Sequence, residues 1–281
     1  MKMFKNIFAD FMCLIKSILC RIYVMLGRRE IILIYKTYKE RQIENTITKD
    51  KFEDSILGAG YGIRLDERIV EYPWLFSRLP AARGNLLDAG SALNYKYLLN
   101  LDKIRNKSTF IQTLAPEKKS YWRDGVSYVY SDLRNSCFAD NFFDWIVSIS
   151  TLEHVGLDNT VFYTNDSQKN ESKLDDYLLV VNEFRRILKT NGKVYITLPF
   201  GKHENFKWFQ QFDSSMVDKI IKTFNPSSFR ESYFKYSANG WQISSRKETA
   251  NMMFSDNKKS SMSGNDYVIA ARSVVCLELE K

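Results

Sequence analysis

Short apolar runs recur through the middle of the chain, at residues 85–88, 109–114, 126–130, 145–149 and 193–198. The segments between them are long enough for the crossovers that parallel strands require. One crossover is a clear helix, because Leu174, Tyr177, Leu178, Val181, Phe184, Ile187 and Leu188 repeat at spacings of three and four. Asn191-Gly192 is its expected C-terminal stop. Strand, helix and strand in this order predict an α/β domain with a mostly parallel sheet. Upstream, residues 66–79 also read as helical, with Ile69, Tyr72 and Phe76 on one side and Pro73 as a kink or restart. Two late runs, 229–236 and 267–279, lack a helix of comparable strength between them and predict a closing antiparallel pair, joined by a polar segment at 255–265.

The first 26 residues follow a different rule. At about 100° per residue, Lys2, Lys5, Asn6, Asp10, Lys16, Ser17 and Arg21 fall within an arc of roughly 160°. Phe4, Phe8, Phe11, Ile15, Ile18, Leu19, Ile22 and Leu26 occupy the other side. This is a basic amphipathic helix with aromatics on its apolar face, the pattern of a segment lying in a bilayer interface. The same periodicity suits packing on the domain or on a second copy of the chain as a homodimer. Lys5, Asp10, Lys16 and Arg21 interrupt any signal-peptide core, and no run is long enough to cross a membrane. The expected organisation is an arm at 1–45, a linker and entry loop at 46–65 containing Gly58, Gly60 and Gly62, and a catalytic domain at 66–281.

Charge and composition narrow the chemistry. The net charge is +8, of which +6 lies at or before Arg41, so the body is nearly neutral and a nucleic-acid partner is disfavoured. An anionic membrane surface is the partner that suits the arm. Four scattered cysteines make no disulfide framework, which suits a cytoplasmic protein, peripheral to the membrane if the arm binds it. With two histidines, His154 and His203, a multi-histidine metal site is excluded and no metal is expected.

In an open α/β sheet the ligand lies outside the carboxyl ends of the strands. Those ends carry Asp88-Ala89-Gly90-Ser91, Leu114-Ala115-Pro116-Glu117, Ser131-Asp132-Leu133-Arg134, Ser150-Thr151-Leu152-Glu153-His154 and Pro199-Phe200-Gly201-Lys202-His203. The segments LLDAGS, YSDLRNSCFADNFFDWIVSISTLEHVG and LLVVNEFRRILKTNGKVYITLPFG together resemble the class I S-adenosylmethionine-dependent methyltransferases, in particular small bacterial enzymes of surface-polysaccharide biosynthesis. The resemblance covers about half the chain, from residue 66 to 202, and leaves out the arm and the C-terminal segment.

That resemblance implies a seven-strand Rossmann-like sheet with an antiparallel last strand, and S-adenosylmethionine as cofactor. It implies that Gly90 lies under the cofactor's methionine part, with Asp88 organising the loop and the cofactor amine. Asp132 matches the acid that approaches the adenine amino group. Ser91, Leu133 and Ser150 flank these positions and join the expected cofactor contacts. The ribose-binding acid expected at the end of the second strand is absent, and Glu117 is the nearest substitute. Ala92 and Asn94 stand where relatives often have glycines.

Glu153-His154 matches the polar pair beside the methyl donor. A hydroxyl acceptor needs its proton removed, and a positioned histidine contributes about 10²–10⁴-fold. His154 is the first candidate for that base, His203 the second, and Glu153 a further one. The expected activity is O-methylation of a sugar or glycan precursor at the cytoplasmic membrane face. Methylation of a lipid or small metabolite, and a scaffold that has lost turnover, are the alternatives. A nicotinamide-binding fold is disfavoured, since the first loop lacks the spaced glycines a pyrophosphate needs.

Overall fold

The computed structural model describes residues 32–49, 52, 57–164, 166–254 and 271–281, and isolated N-terminal positions at 15, 18–22 and 25. Most of the predicted amphipathic arm, and the polar segment at 255–265, lie outside the described residues. At the positions that are described, Leu19 packs against the body and Cys20 is buried, while Ile18, Ile22 and Met25 are exposed.

Five strands run parallel: β1 (Asn85–Ala89), β2 (Ser108–Thr113), β3 (Ser127–Tyr130), β4 (Phe143–Ile149) and β5 (Leu188–Pro199). Three more follow: β6 (Ser228–Ser237), β7 (Gly240–Ser244) and β8 (Ser273–Glu280). The order across the sheet is β3-β2-β1-β4-β5-β8-β6-β7. The chain starts in the centre, moves outward to β3, and returns to place β4 on the other side of β1. That reversal is where ligands enter such sheets. β8 lies antiparallel to both β5 and β6, so the predicted closing pair forms.

The sheet has eight strands rather than seven. The addition is β7, joined to β6 by a two-residue loop at Ala238 and Asn239. The Asn239-Gly240 pair is a recognised hairpin signal that the sequence reading did not use. β7 then anchors the stretch expected as an entry loop. Trp241 donates its backbone N–H to Tyr61 O and its indole N–H to Leu65 O, each at 2.8 Å.

Both faces of the sheet are covered, which explains why the central strands are apolar throughout. One face carries α1 (Ile32–Thr48) and α2 (Arg68–Arg78), with Ile34, Ile43, Ile69, Trp74 and Phe76 in its core. The other carries α3 (Tyr177–Ile187) and α4 (Ser214–Phe224), with Val181, Phe184, Val217 and Ile220. α1 extends three residues into the expected linker and is tied to the body by Tyr35, whose hydroxyl donates to Asp66 Oδ2 at 2.8 Å.

Pro73 sits inside α2 without ending it. A proline there leaves the carbonyl four residues earlier without its helical donor. That carbonyl belongs to Ile69, and the Tyr61 hydroxyl donates to it at 2.7 Å. The expected stop at Asn191-Gly192 is displaced: α3 ends at Ile187, Leu188 is already extended, and Asn191 falls inside β5. Asn191 has φ +61° there and donates its N–H to Lys281 O, so its left-handed conformation serves the strand edge rather than a helix cap.

Candidate active site

The loop after β1 is built by its own residues. Asp88 is fully buried at the strand tip and accepts the backbone N–H groups of Ala92 at 3.0 Å and Leu93 at 2.8 Å. Burial pushes its carboxyl up to about 7 even so, and the charge of Glu117 pushes the same way. Asp88 therefore spends both oxygens on shaping the turn. Gly90 follows with φ +108°, and a Cβ there would come within 2.2 Å of Thr151 Oγ1. Glycine is required by the backbone and by the close approach of the β4 loop alike. Ser91 also has positive φ, and its buried Oγ has no partner among the described residues.

Beyond Gly90 opens a cavity of about 510 Å³, lined by residues from the ends of β1, β2, β3 and β4. Of the ten residues expected at the site, Gly90, Glu117, Asp132, Leu133 and His154 line it. Asp88, Ser91, Ser150, Glu153 and His203 do not. Glu117 is exposed on its rim, four residues past β2. Asp132 accepts its own helical turn's N–H from Arg134 and is gripped by the Arg134 guanidinium, with Nη2 to Oδ2 at 2.6 Å. Burial alone would raise the Asp132 carboxyl, but the hydrogen bonds from Arg134 outweigh it and hold it below the usual range. Arg134 reaches on to Glu171 and Asp176, so it pins the β3 loop to the segment leading into α3. Nothing local in the sequence marks these distant partners of Arg134.

The loop after β4 is held from elsewhere in the chain. Ser150 has φ +43°, and its Oγ donates to Glu71 Oε1 at 2.8 Å while accepting from Arg68 Nη1 at 2.7 Å. Glu71, fully buried on α2, also accepts from Thr197 Oγ1 at 2.6 Å and pairs with Arg68. This polar junction joins α2, β4 and β5 at the ligand edge. The sequence reading missed Arg68 and Glu71, since a charged pair at i, i+3 ordinarily marks a solvated helix face. Glu153 is buried, and its Oε2 has no partner among the described residues. Burial pushes its carboxyl up to about 8, so it is largely protonated at neutral pH.

His154 faces the cavity with a defined ring. Its Nδ1 lies 3.0 Å from the Trp208 carbonyl, and the rings stack with centroids 5.1 Å apart. A carbonyl only accepts, so Nδ1 carries the proton and Nε2 of the neutral ring is an acceptor. Burial holds the imidazole below its ordinary value, although the Trp208 bond raises it. His203 is elsewhere: it is exposed, with Nε2 3.4 Å from Gln210 Oε1, just before the short antiparallel pair formed by 204–205 and 210–211.

The cavity suits an adenosine-type cofactor on its own features. Its volume falls within the ~300–1,000 Å³ of small-molecule sites. Leu114, Pro116, Leu133 and Val155 supply apolar walls, the carboxylates of Glu117 and Asp132 can accept from hydroxyl and amino groups, and Gly90 admits close backbone approach. Residues 87–196 match the family described as a methyltransferase domain. No curated protein matches the chain in sequence. Among solved structures, the chain is similar to an S-adenosylmethionine-dependent methyltransferase from Thermotoga maritima, at 12% identity over 86% of this chain and 99% of that one, with a TM-score of 0.46. It is also similar to phosphoethanolamine N-methyltransferase 2 of Haemonchus contortus, at 15% identity over 74% of this chain, with a TM-score of 0.45. The chain spans about half, 51%, of that enzyme's length. A third is the 1,6-didemethyltoxoflavin-N1-methyltransferase of Burkholderia thailandensis, at 10% identity over 86% of this chain and 87% of that one, with a TM-score of 0.42.

Proposed function

We propose that this chain, whose residues 87–196 match a methyltransferase domain, is a class I S-adenosylmethionine-dependent methyltransferase that methylates a hydroxyl of a sugar or glycan precursor, with His154 as general base. The observation that carries this reading is the His154 ring, set on the cavity wall with Nδ1–H held by Trp208 O and Nε2 left as its acceptor. When bound, S-adenosylmethionine supplies an electrophilic methyl group. Gly90, Leu133, Glu117 and Asp132 would hold it in the cavity, while Asp88 keeps the β1 loop in shape. His154 Nε2 would take the acceptor's hydroxyl proton, and the Trp208 carbonyl would steady the resulting imidazolium. A carboxylate acceptor, already ionised, would leave this prepared base without a task.

Full-length protein given methyl-labelled cofactor and cell extract separated into glycan, lipid and nucleic-acid pools should label the glycan pool. Label confined to another pool would overturn the sugar acceptor. His154→Ala should lower turnover by about 10²–10⁴-fold with unchanged calorimetric affinity for the cofactor. Because the base works deprotonated and its pKa is lowered, turnover should rise with pH below about 6.5 and level off above it. Near-normal turnover of the variant would remove His154 from the role.

The membrane reading rests on the arm. No helix among the described residues is long and apolar enough to cross a membrane. Ile18, Ile22 and Met25 are spaced at i, i+4 and i+7, so they form an exposed apolar stripe beside a segment that carries most of the net positive charge. Removing the chain through Arg41 would also strip Ile34 and Tyr35 from the core. The triple variant Ile18→Ser, Ile22→Ser, Met25→Ser should therefore stay folded but lose sedimentation with anionic vesicles. Equal sedimentation of both proteins would remove the membrane reading.

A further inference from the structure

Residues 204–211 turn back on themselves outside the cavity, and their placement is firm. Phe206 N–H bonds Phe209 O, Asp158 N–H bonds Lys207 O at 3.1 Å, and the Gln210 side chain donates to Leu174 O at 2.8 Å. The turn presents Trp208, which keeps 43% of its surface exposed although it stacks on His154. Phe162, 64% exposed, meets the Trp208 ring at 5.6 Å and itself lines the cavity together with His154. Behind them Phe209 is buried edge-on against Trp208 at 4.5 Å, and Phe206 stacks on Phe209 at 4.5 Å with the planes 5° apart. Two large aromatic surfaces thus stay open to solvent, on a rigid support, where the cavity ends and beside the base.

Large aromatics left exposed at a cavity mouth mark a binding surface. Resting on the reading of the site given above, we propose that Trp208 and Phe162 form the platform on which the acceptor stacks the apolar face of its ring, and that Trp208 is also a positioning residue for His154. The chemistry fits a ring that has a C–H-rich face for the aromatics and a hydroxyl at its edge for Nε2. One residue then does two things: its indole receives the acceptor and its carbonyl sets the tautomer of the base that acts on it. Binding the acceptor and preparing the base are coupled through the same turn.

The test compares Trp208→Ala, Trp208→Phe and Phe162→Ala in the full chain, saturated with labelled cofactor and titrated with the extract pool that accepts the methyl group. Phe162→Ala and Trp208→Ala should each raise the apparent KM for that pool about five- to tenfold, the scale of one aromatic stack. Cofactor affinity by calorimetry should stay within about twofold, and Trp208→Phe should recover most of the lost KM. Trp208→Ala should additionally lower kcat, which Phe162→Ala should not, because the Trp208 ring stacks on the His154 ring and keeps it seated against the main-chain carbonyl, which the substitution leaves in place. A wild-type KM in both alanine variants would overturn the platform. Failure of Trp208→Phe to recover would overturn it as well, since any flat ring should serve. Transfer into a pool other than glycan overturns the sugar acceptor alone, and the same KM ratios then judge the platform with the pool that accepts. A protein that binds cofactor and labels no pool overturns both.

Discussion

The loops after β1 and β4 meet at Gly90 and Thr151, yet they are made in opposite ways. The β1 loop is shaped mainly by its own residues: Asp88 caps the turn that starts two residues later and a glycine supplies the positive φ, with the Tyr72 hydroxyl on Ala92 O the chief side-chain bond from outside. The β4 loop is assembled from a distance. Ser150 is held by Arg68 and Glu71 from α2, His154 by Trp208, and the buried Glu153 has an oxygen with no partner among the described residues. A loop whose turn is capped from within can serve as a fixed cradle, even though Ser91 Oγ has no partner among the described residues. A loop that depends on remote partners can hold groups in unsatisfied states, which is where proton chemistry is done.

Three substitutions probe that contrast. The largest effect should come from Glu71→Ala, which leaves Arg68 without its carboxylate and frees Ser150 and Thr197 together. Removing one member of such a pair should cost about 3 kcal/mol, with Arg68 partly solvated. Denaturant unfolding reads it directly, and wild-type stability would mean that α2 does not build the β4 loop. Next is Gly90→Val. The positive φ and the clash with Thr151 should together cost about 2–3 kcal/mol and abolish calorimetric cofactor binding. Retained affinity in a folded variant would show that the cradle does not depend on this close approach.

The most specific effect, absent at low pH and growing only as pH rises, concerns Glu153. Its folded carboxyl titrates near 8 against about 4.5 when unfolded, so the native state binds the extra proton between these values. Stability from the neutral form is full below pH 4.5 and is lost as pH rises toward 8. Glu153→Gln cannot ionise, so its stability relative to the parent should grow by up to a few kcal/mol from pH 5 to pH 8. A constant difference across that range would mean that Glu153 is ionised and paired. Asp88 is raised only to about 7, in keeping with the N–H groups that satisfy it.

How much of this could be read in advance follows the same division. The Asp88-Ala89-Gly90 turn was visible because acid, strand end and glycine are neighbours in the chain. His154 was visible as a histidine at a strand end and stood ahead of His203, but the orientation of its ring was not visible, since that turns on a carbonyl 54 residues away. Arg134 and Glu71 were hidden because an acid and a base a few residues apart look alike whether they face water or the core. β7 was legible in principle at Asn239-Gly240, where the turn chemistry is local.

Periodicity of the side chains along the chain was therefore enough for the parallel sheet, the strand ends and the residues gathered at them. Alternation and turn chemistry act over a few residues, and the handedness of the crossovers does the rest. Tertiary structure alone decided which of those residues share a cavity, which acid is neutral, and which nitrogen of His154 is the acceptor. Each depends on desolvation and on hydrogen-bond partners brought from remote segments, and those are properties of the packed chain that no local pattern encodes.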